Sequence, residues 1–450
     1  MRLAPARLDQ AHVGSIKIES EFQNAISTAS CMHRRRLSPN NFMGFDPENR
    51  YNFRRRFRQK LMVQMDRAVS IVSEKFPYQD EDVAKVLEAL CVDPKFLAVL
   101  SGWWMPRLSK WVGPLASYLV SMRLRRAVRG VASVAEFQNF VRAFVERLVA
   151  SSMESFEVRG LEQLDPEQGY LFVSNHRDIA GDSMLLNLAL HRHGLGTVRI
   201  AVGDNLIEEA YATDLMRLNK SFFINRTGTN PREVYKDLTT ASKYILDSIA
   251  ERQSVWIAQS EGRAKDGRDL TDVSVLKMLQ LSNRKAPVAE HFQRLSIVPT
   301  TLSYEFDPLD AAKAREVRLI RETGRYDKSP GEDLRNLALG LTGAKGRVVL
   351  TVGRPLAGLP DTVEALAEQI DAAILAGQAL FPINEWAAAR IDAIDQSGGD
   401  LPVLPSTADE AFDRPSGAEG LARFEACSDE DRMDLLSMYA APVQLKAAPR

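Results

Sequence analysis

The chain has 450 residues, 45% of them hydrophobic and 26% charged, which is enough apolar sequence for a large core and too much for a disordered chain. Its three cysteines, Cys31, Cys91 and Cys427, lie too far apart for a disulfide framework or a zinc site, and no run reaches the roughly 18 apolar residues of a membrane-spanning helix. The net charge of -1 hides an asymmetry: residues 1–60 hold twelve Lys/Arg against five Asp/Glu, residues 101–130 hold six against none, and from Leu356 onward seventeen acidic residues face six basic ones.

A basic front half points to an anionic partner, phospholipid headgroups or nucleic acid, while the acidic tail reads as solvated surface. Residues 1–30 are interrupted by polar side chains and lack the apolar core of a signal peptide, so a reducing cytoplasm is expected.

In chain order, residues 1–50 show weak periodicity and read as an N-terminal arm. From Tyr51 the pattern turns helical, through Leu61, Val63, Met65, Val69, Ile71 and Val72. Further helices fit Asp80–Leu90, Phe96–Leu108, Trp111–Arg126 and Val134–Ser151, giving a helical N-terminal region over 51–155.

After Phe156 short apolar runs alternate with amphipathic segments. Strands are expected at Tyr170–Ser174, Thr197–Val202, Ser221–Asn225, Val255–Ala258, Ile297–Tyr304 and Val348–Val352. Helices fit Ser183–His193, Leu206–Leu218, Arg232–Arg252 and Val273–Leu281 between them, and Thr362–Leu380 and Asn384–Ile394 after them. This alternation implies an α/β domain over 156–396, with a mainly parallel mixed sheet flanked by helices. A Ser/Gly/Pro/Asp-rich linker at Ser397–Gly420 opens the last segment, 397–450, a linker with a helical tail.

Four stretches carry chemistry. The first is Leu171-Phe-Val-Ser-Asn-His-Arg-Asp-Ile-Ala-Gly-Asp182, a buried strand running into a helix with Asp182 at or near its N-cap. His176 there could act as a base, with Asp178 or Asp182 as the carboxylate that fixes its tautomer; a capping Asp and a structural His are the competing account. His176-Arg-Asp-Ile179 also imitates the start of a kinase catalytic loop. That loop needs Asn five residues after its Asp, where Ser183 stands, and neither a glycine-rich loop nor an Asp-Phe-Gly accompanies it.

The second stretch, Lys220-Ser-Phe-Phe-Ile-Asn-Arg226, sends Arg226 off the end of a buried strand, and its guanidinium suits a phosphate. The third, Val255-Trp-Ile-Ala-Gln-Ser-Glu-Gly-Arg-Ala-Lys265, ends in a glycine turn. Gly262 lets backbone approach a ligand, Arg263 and Lys265 offer cations, and Glu261 could order an arginine or bind a substrate hydroxyl. The fourth, Ile297-Val-Pro-Thr-Thr-Leu-Ser-Tyr304, is a strand whose Pro299 suits an edge or a strand start.

In order and spacing these stretches resemble the four blocks of the glycerolipid acyltransferases, the family of glycerol-3-phosphate and 1-acylglycerol-3-phosphate acyltransferases. The matching residues are Asn175-His176 with an Asp, Phe222-Phe-Ile-Asn-Arg226, Glu261-Gly-Arg263 and Ile297-Val-Pro299, within about Phe156–Val352. Met438-Tyr-Ala-Ala-Pro442 also resembles an ending found in bacterial members. Two departures stand out: the family's first block has four residues between His and Asp, where Asp178 and Asp182 both miss that spacing, and no residue separates Gly262 from Arg263. The continuation after Asp182 favours it as the partner.

The resemblance implies acyl transfer from acyl-CoA or acyl-carrier protein to a hydroxyl of glycerol-3-phosphate or lysophosphatidate, with no cofactor and no acyl-enzyme. It makes His176 the general base and Asp182 its orienting group. Arg226, Arg263 and Lys265 would hold the acceptor phosphate in a pocket shaped by Glu261 and Gly262. Another lyso-lipid acceptor, such as a lyso-ornithine lipid, remains an alternative, as does a non-enzymatic lipid-binding protein. Phe96–Arg129, with Trp103, Trp104, Trp111, Tyr118 and six cations, implies an anionic membrane surface as partner and a peripheral place at the inner face of the membrane. No signature of nucleic-acid binding is present.

Overall fold

Leu171–Ser174, Ser221–Ile224 and Ile297–Tyr304 are buried at every position, the pattern of strands covered on both faces. They belong to a seven-stranded sheet: β1 (Ser155–Arg159), β2 (Leu171–Ser174), β3 (Arg199–Gly203), β4 (Ser221–Ile224), β5 (Val255–Ala258), β6 (Ile297–Tyr304) and β7 (Arg347–Val352), in spatial order β1-β7-β6-β2-β5-β3-β4. Every pair is parallel except β6–β7. The sheet is therefore mainly parallel and mixed. The computed structural model describes residues 75–203, 209–226, 230–329, 331–398 and 417–448. The arm over 1–50, the helix expected from Tyr51, the start of the helix at Leu206 and most of the Ser397–Gly420 linker lie outside the described residues.

Among the described residues, four helices precede the sheet: α1 (Asp80–Leu90), α2 (Pro94–Trp104), α3 (Pro106–Ala127) and α4 (Val134–Ser152). Asp93 accepts from the Phe96 N–H, and Ser133 with Glu136 forms a capping box at α4. The expected Phe96–Leu108 helix instead stops at Trp104, because Pro106 restricts Met105 and restarts the chain; Pro114 accompanies a kink at Val112.

Within and after the sheet come α5 (Gly181–Arg192), α6 (Ala210–Leu218), α7 (Pro231–Ala250), α8 (Val273–Leu279), α9 (Val288–Leu295), α10 (Asp310–Thr323), α11 (Glu332–Thr342), α12 (Val363–Gly377), α13 (Pro382–Gln396), α14 (Gly417–Ala426) and α15 (Arg432–Ala447). All described elements lie in one compact unit, Val72–Arg450.

Alternation along each strand divides the core. Leu171, Val173, Phe222 and Ile257 face α7, α8, α9 and α12, whereas Phe172, Trp256, Val298 and Leu302 face α4 and α5. A third cluster joins Phe306 and Val349 to α13, α14 and α15. Each fully buried Leu or Phe contributes about 1.5–3 kcal/mol of transfer free energy, so registry is strongly set wherever both faces are covered. His176 continues the even-numbered side of β2, which faces α4 and α5.

Pro299 is neither at an edge nor at a strand start. It pairs with Val173 in the middle of the sheet, and the ladder to β7 begins one residue later, at Thr300. Beyond that ladder the Pro299 carbonyl accepts from the Gly353 N–H at 2.8 Å, on the side where the proline has no N–H to lose.

Candidate active site

The four stretches meet at the ends of β2, β4, β5 and β6, the carboxyl edge where open α/β sheets place their sites. At β2 the main chain is tied down residue by residue. Asn175 clamps β6, donating to the Leu302 carbonyl at 2.9 Å and accepting from its N–H at 2.8 Å. The His176 N–H donates to Asp269 at 3.3 Å, and the His176 carbonyl accepts from the Ala264 N–H at 2.9 Å. The ring is thus held between the β2 turn and the β5 loop.

His176 Nδ1 lies 2.9 Å from Asp182 Oδ2, with the Asp182 side chain 2% exposed and the ring 14% exposed. The same oxygen accepts from the N–H groups of Arg177 at 2.7 Å and Asp178 at 3.1 Å, and Oδ1 accepts from the Tyr304 hydroxyl at 3.3 Å. Burial, then the Asp182 charge, push the Tyr304 hydroxyl well above its ordinary range, so it stays a donor. An acceptor facing Nδ1 puts the proton there and leaves the lone pair on Nε2, and His176 itself lines a cavity. Trp256 packs edge-on against the ring at 6.0 Å and donates to Ser174 at 2.9 Å, fixing the wall behind it.

Asp178 does a different job. Its Oδ1 accepts from the N–H groups of Ala180 and Gly181 at 3.0 and 2.6 Å, closing the turn that starts α5, and Oδ2 has no partner among the described residues. It is this carboxylate that serves the first N–H of α5; Asp182, expected near the N-cap, is the second residue of the helix and points back over the turn. Burial and the neighbouring Asp182 charge raise the Asp178 carboxyl. α11 crosses directly above, and a Cβ on Gly340 would stand 2.0 Å from Asp178 Oδ2, so only glycine lets the helix pass there.

A cavity of about 500 Å³ opens from His176. Its lining includes Arg226, Glu261, Gly262, Arg263 and Lys265, and also Val141, Phe144, Leu148, Met184, Leu188 and Leu215 of α4, α5 and α6. Arg226 is 3.3 Å from Glu261, and Gly262 holds φ +90, a left-handed turn that glycine takes without strain. Lys265 is committed to Glu316 of α10, at 2.5 Å. Arg263 makes no ion pair among the described residues. Of the expected cations, then, Arg263 has the least committed charge. No cluster of three His, Cys, Asp or Glu suited to a metal ion occurs among the described residues.

Residues 155–301 match the protein family described as Acyltransferase. They are an acyltransferase domain. His176, Asp182, Arg226, the Glu261–Lys265 turn and Pro299 all fall inside this domain. The domain match ends within β6, so Tyr304, α10, α11, β7 and the tail helices lie beyond it. Among solved structures, the 1-acyl-sn-glycerophosphate (LPA) acyltransferase PlsC from Thermotoga maritima is similar at 12% identity and a TM-score of 0.33, covering 63% of this chain and 95% of that one. No curated protein matches the chain.

Sequence reasoning did not find Asp269, Tyr304, Glu316 or Lys328, all of which touch the His176 turn or line its cavity. Tyr304 had a readable signal, since it closes the fourth block. The others sit in loops or helices whose place in the site appears only once the sheet is assembled.

Proposed function

We propose that the acyltransferase domain moves a fatty acyl group from an acyl-thioester, acyl-CoA or acyl-carrier protein, to a hydroxyl of glycerol-3-phosphate or lysophosphatidate. One observation carries this reading: the ring held by Asp182 lines a cavity that Arg226 and Arg263 share with apolar side chains of α4, α5 and α6. His176 Nε2 takes the proton of the acceptor hydroxyl as its oxygen attacks the thioester carbonyl. The C–S bond breaks, and the departing thiolate recovers the proton from His176. Asp182 holds the imidazole in the right tautomer and stabilises the imidazolium between these steps. Arg263 and Arg226 bind the acceptor phosphate, with Glu261 ordering Arg226 and Gly262 turning the backbone toward the ligand. Lys265 acts through its pair with Glu316.

Purified protein offered radiolabelled acyl-CoA is expected to acylate glycerol-3-phosphate or lysophosphatidate. Absence of transfer to these acceptors and to other lyso-lipids, from CoA and carrier-protein donors alike, would sink the reading. Arg263→Ala and Arg226→Ala should each raise the acceptor KM about tenfold or more at little change in kcat, since a hydrogen bond to a charged group contributes about 1.5–3 kcal/mol. A fall in kcat at constant KM would instead place these groups at the reacting atoms.

The reading extends to an anionic membrane surface at the α2–α3 hairpin. α3 buries Ala116, Val120 and Leu124 against its neighbours, yet Trp111 is 88% exposed, and Leu115, Tyr118 and Met122 are exposed beside it. Arg107, Lys110, Arg125 and Arg126 flank this bare apolar side and are exposed. Trp103 packs edge-on at 5.5 Å against Phe144, a wall of the cavity, so the same hairpin adjoins the site. No helix among the described residues is long and apolar enough to cross a membrane. An interfacial helix pair fits these facts, and a peripheral location at the inner face of the membrane is part of the proposal.

In co-sedimentation with vesicles, binding should be stronger to anionic than to neutral lipid. Arg125→Gln with Arg126→Gln should weaken it by roughly 30-fold, at about 1 kcal/mol per cation. Equal failure to bind either lipid would remove the hairpin from the proposal.

A further inference from the structure

The Met438-Tyr-Ala-Ala-Pro442 segment has no part in the chemistry above, and its place in α15 is at the back of the site. The Tyr439 hydroxyl donates to Asp310 Oδ2 at 2.7 Å and accepts from the Asp307 N–H at 3.2 Å. Arg423 of α14 donates to the Asp307 carbonyl at 2.9 Å and to Asp310 Oδ2 at 3.3 Å. Asp307 in turn receives Lys313 Nζ at 2.6 Å, and the same ammonium donates to the Arg177 carbonyl at 2.7 Å. Arg177 lies between His176 and Asp178, and its N–H is a donor to Asp182. A continuous path therefore runs from the tail helices through one lysine to the His176–Asp182 turn.

Apart from Arg423, which is partly exposed, the path is buried, with Lys313 3%, Asp307 2%, Asp310 3% and Tyr439 3% exposed. In such surroundings a charge left without its partner costs several kcal/mol, so the members hold one another in a single arrangement. Burial pushes the Asp307 carboxyl up, but Lys313 and Arg177 together outweigh it and hold it below its usual range, consistent with an ion pair. A second contact arrives independently. A Cβ on Gly267, which has φ +79, would stand 2.3 Å from the Met438 carbonyl oxygen, so α15 lies directly against the loop that carries Glu261–Lys265 and Asp269. One helix thus backs both loops that hold the ring.

We propose that Lys313 is a positioning residue for the His176–Asp182 pair, and that the tail helices, through Tyr439 and Arg423, keep it in place. The proposal rests on the general-base reading given above. It is tested on the full chain carrying ¹⁵N-histidine, following the Nδ1 proton between His176 and Asp182, identified by its loss in His176→Gln, beside kcat and KM. Lys313→Met and Tyr439→Phe should shift or broaden that resonance and lower kcat about tenfold or more, with the acceptor KM within about twofold. Tyr439→Phe keeps the ring that packs on Phe424, and so guards against a Lys313→Met chain that does not fold.

Lys313→Arg should recover part of the loss, because it keeps a cation between Asp307 and Arg177. Arg321→Gln breaks the Arg321–Asp434 pair of the same tail without touching Asp307. It should lower the melting temperature while resonance and kcat stay as in the wild type. Folded Lys313→Met and Tyr439→Phe proteins with wild-type resonance and kcat would overturn the proposal, as would an equal disturbance from Arg321→Gln. A resonance that moves as expected in a protein that acylates no acceptor would support the positioning path and overturn the general-base reading on its own.

Discussion

Replacing His176 with alanine is expected to lower acyl transfer on the order of 10²- to 10⁴-fold, the usual contribution of a positioned general base, and to leave the fold in place. The second half of that expectation follows from how the ring is held. The N–H and carbonyl of residue 176 remain tied to Asp269 and Ala264 whatever the side chain. Asp182 loses one of its hydrogen bonds and keeps those from Arg177, Asp178 and Tyr304. The lost bond and the lost edge contact with Trp256 together cost about 1–3 kcal/mol, which a domain of this size tolerates. Turnover from a labelled thioester, measured beside a circular-dichroism melt, checks both halves. A folded variant that keeps a large share of wild-type turnover would remove His176 from the chemistry.

Asp182→Asn and Asp178→Asn, compared side by side, should behave in opposite ways. An asparagine at 182 offers one acceptor and one donor where the site presents His176 Nδ1, two backbone N–H groups and the Tyr304 hydroxyl. If its amide nitrogen faces the ring, Nδ1 becomes the acceptor and Nε2 carries the proton, which disarms the base. A loss in kcat of about 10²- to 10⁴-fold is expected, with substrate KM little changed. Asp178→Asn keeps the oxygen that closes the turn and places an amide where an oxygen now has no partner. Its kcat should stay within about threefold of wild type, under about 1 kcal/mol in the barrier.

The same pair differs in its response to pH. The folded chain holds the Asp178 proton more tightly than the unfolded chain, because burial and then Asp182 disfavour the carboxylate. Stability from this group is fully present below the unfolded value of 3.8 and is lost as pH rises through the raised folded value. Asp178→Asn has nothing to titrate there. Its melting temperature should gain on the wild type as pH rises from 4 toward 8, and the gap should close in acid. A gap independent of pH would mean that Asp178 is not the buried, proton-holding group described above.

The strands of the sheet were readable because buried parallel strands leave continuous apolar runs, and β2, β4, β5 and β6 stand within about a residue of where Leu171, Ser221, Val255 and Ile297 begin those runs. β1 was not readable. Ser155-Phe-Glu-Val-Arg159 alternates charge with apolar residues at the sheet edge, and so short a half-exposed run looks like the end of a loop. The excursion between β6 and β7 was also invisible, since α10 and α11 owe their place to contacts with the site and with α4 rather than to a strong pattern of their own.

Within the site, local spacing brought His176 and two carboxylates together but could not choose between them. The choice is made by the turn, which occupies Asp178 with N–H groups of its own, and by Tyr304, which comes from 122 residues away. Asp269 and Lys313 are distant in sequence too, and nothing beside them marks them as neighbours of a histidine.

The contact between Asp307 and Tyr439 spans 132 residues, and this has a consequence for biosynthesis. Chains emerge from the ribosome from the N-terminus, and long-range contacts close late. A nascent chain halted before Tyr439 already contains all four blocks and the whole matched domain. It lacks the hydroxyl and the helix that back the turn, so the arrangement proposed for Lys313 is completed only after Tyr439 has emerged. Chains released before Tyr439 also lack the part of the third core cluster that α15 supplies, and are expected to be idle in an activity assay on staged ribosome-release products.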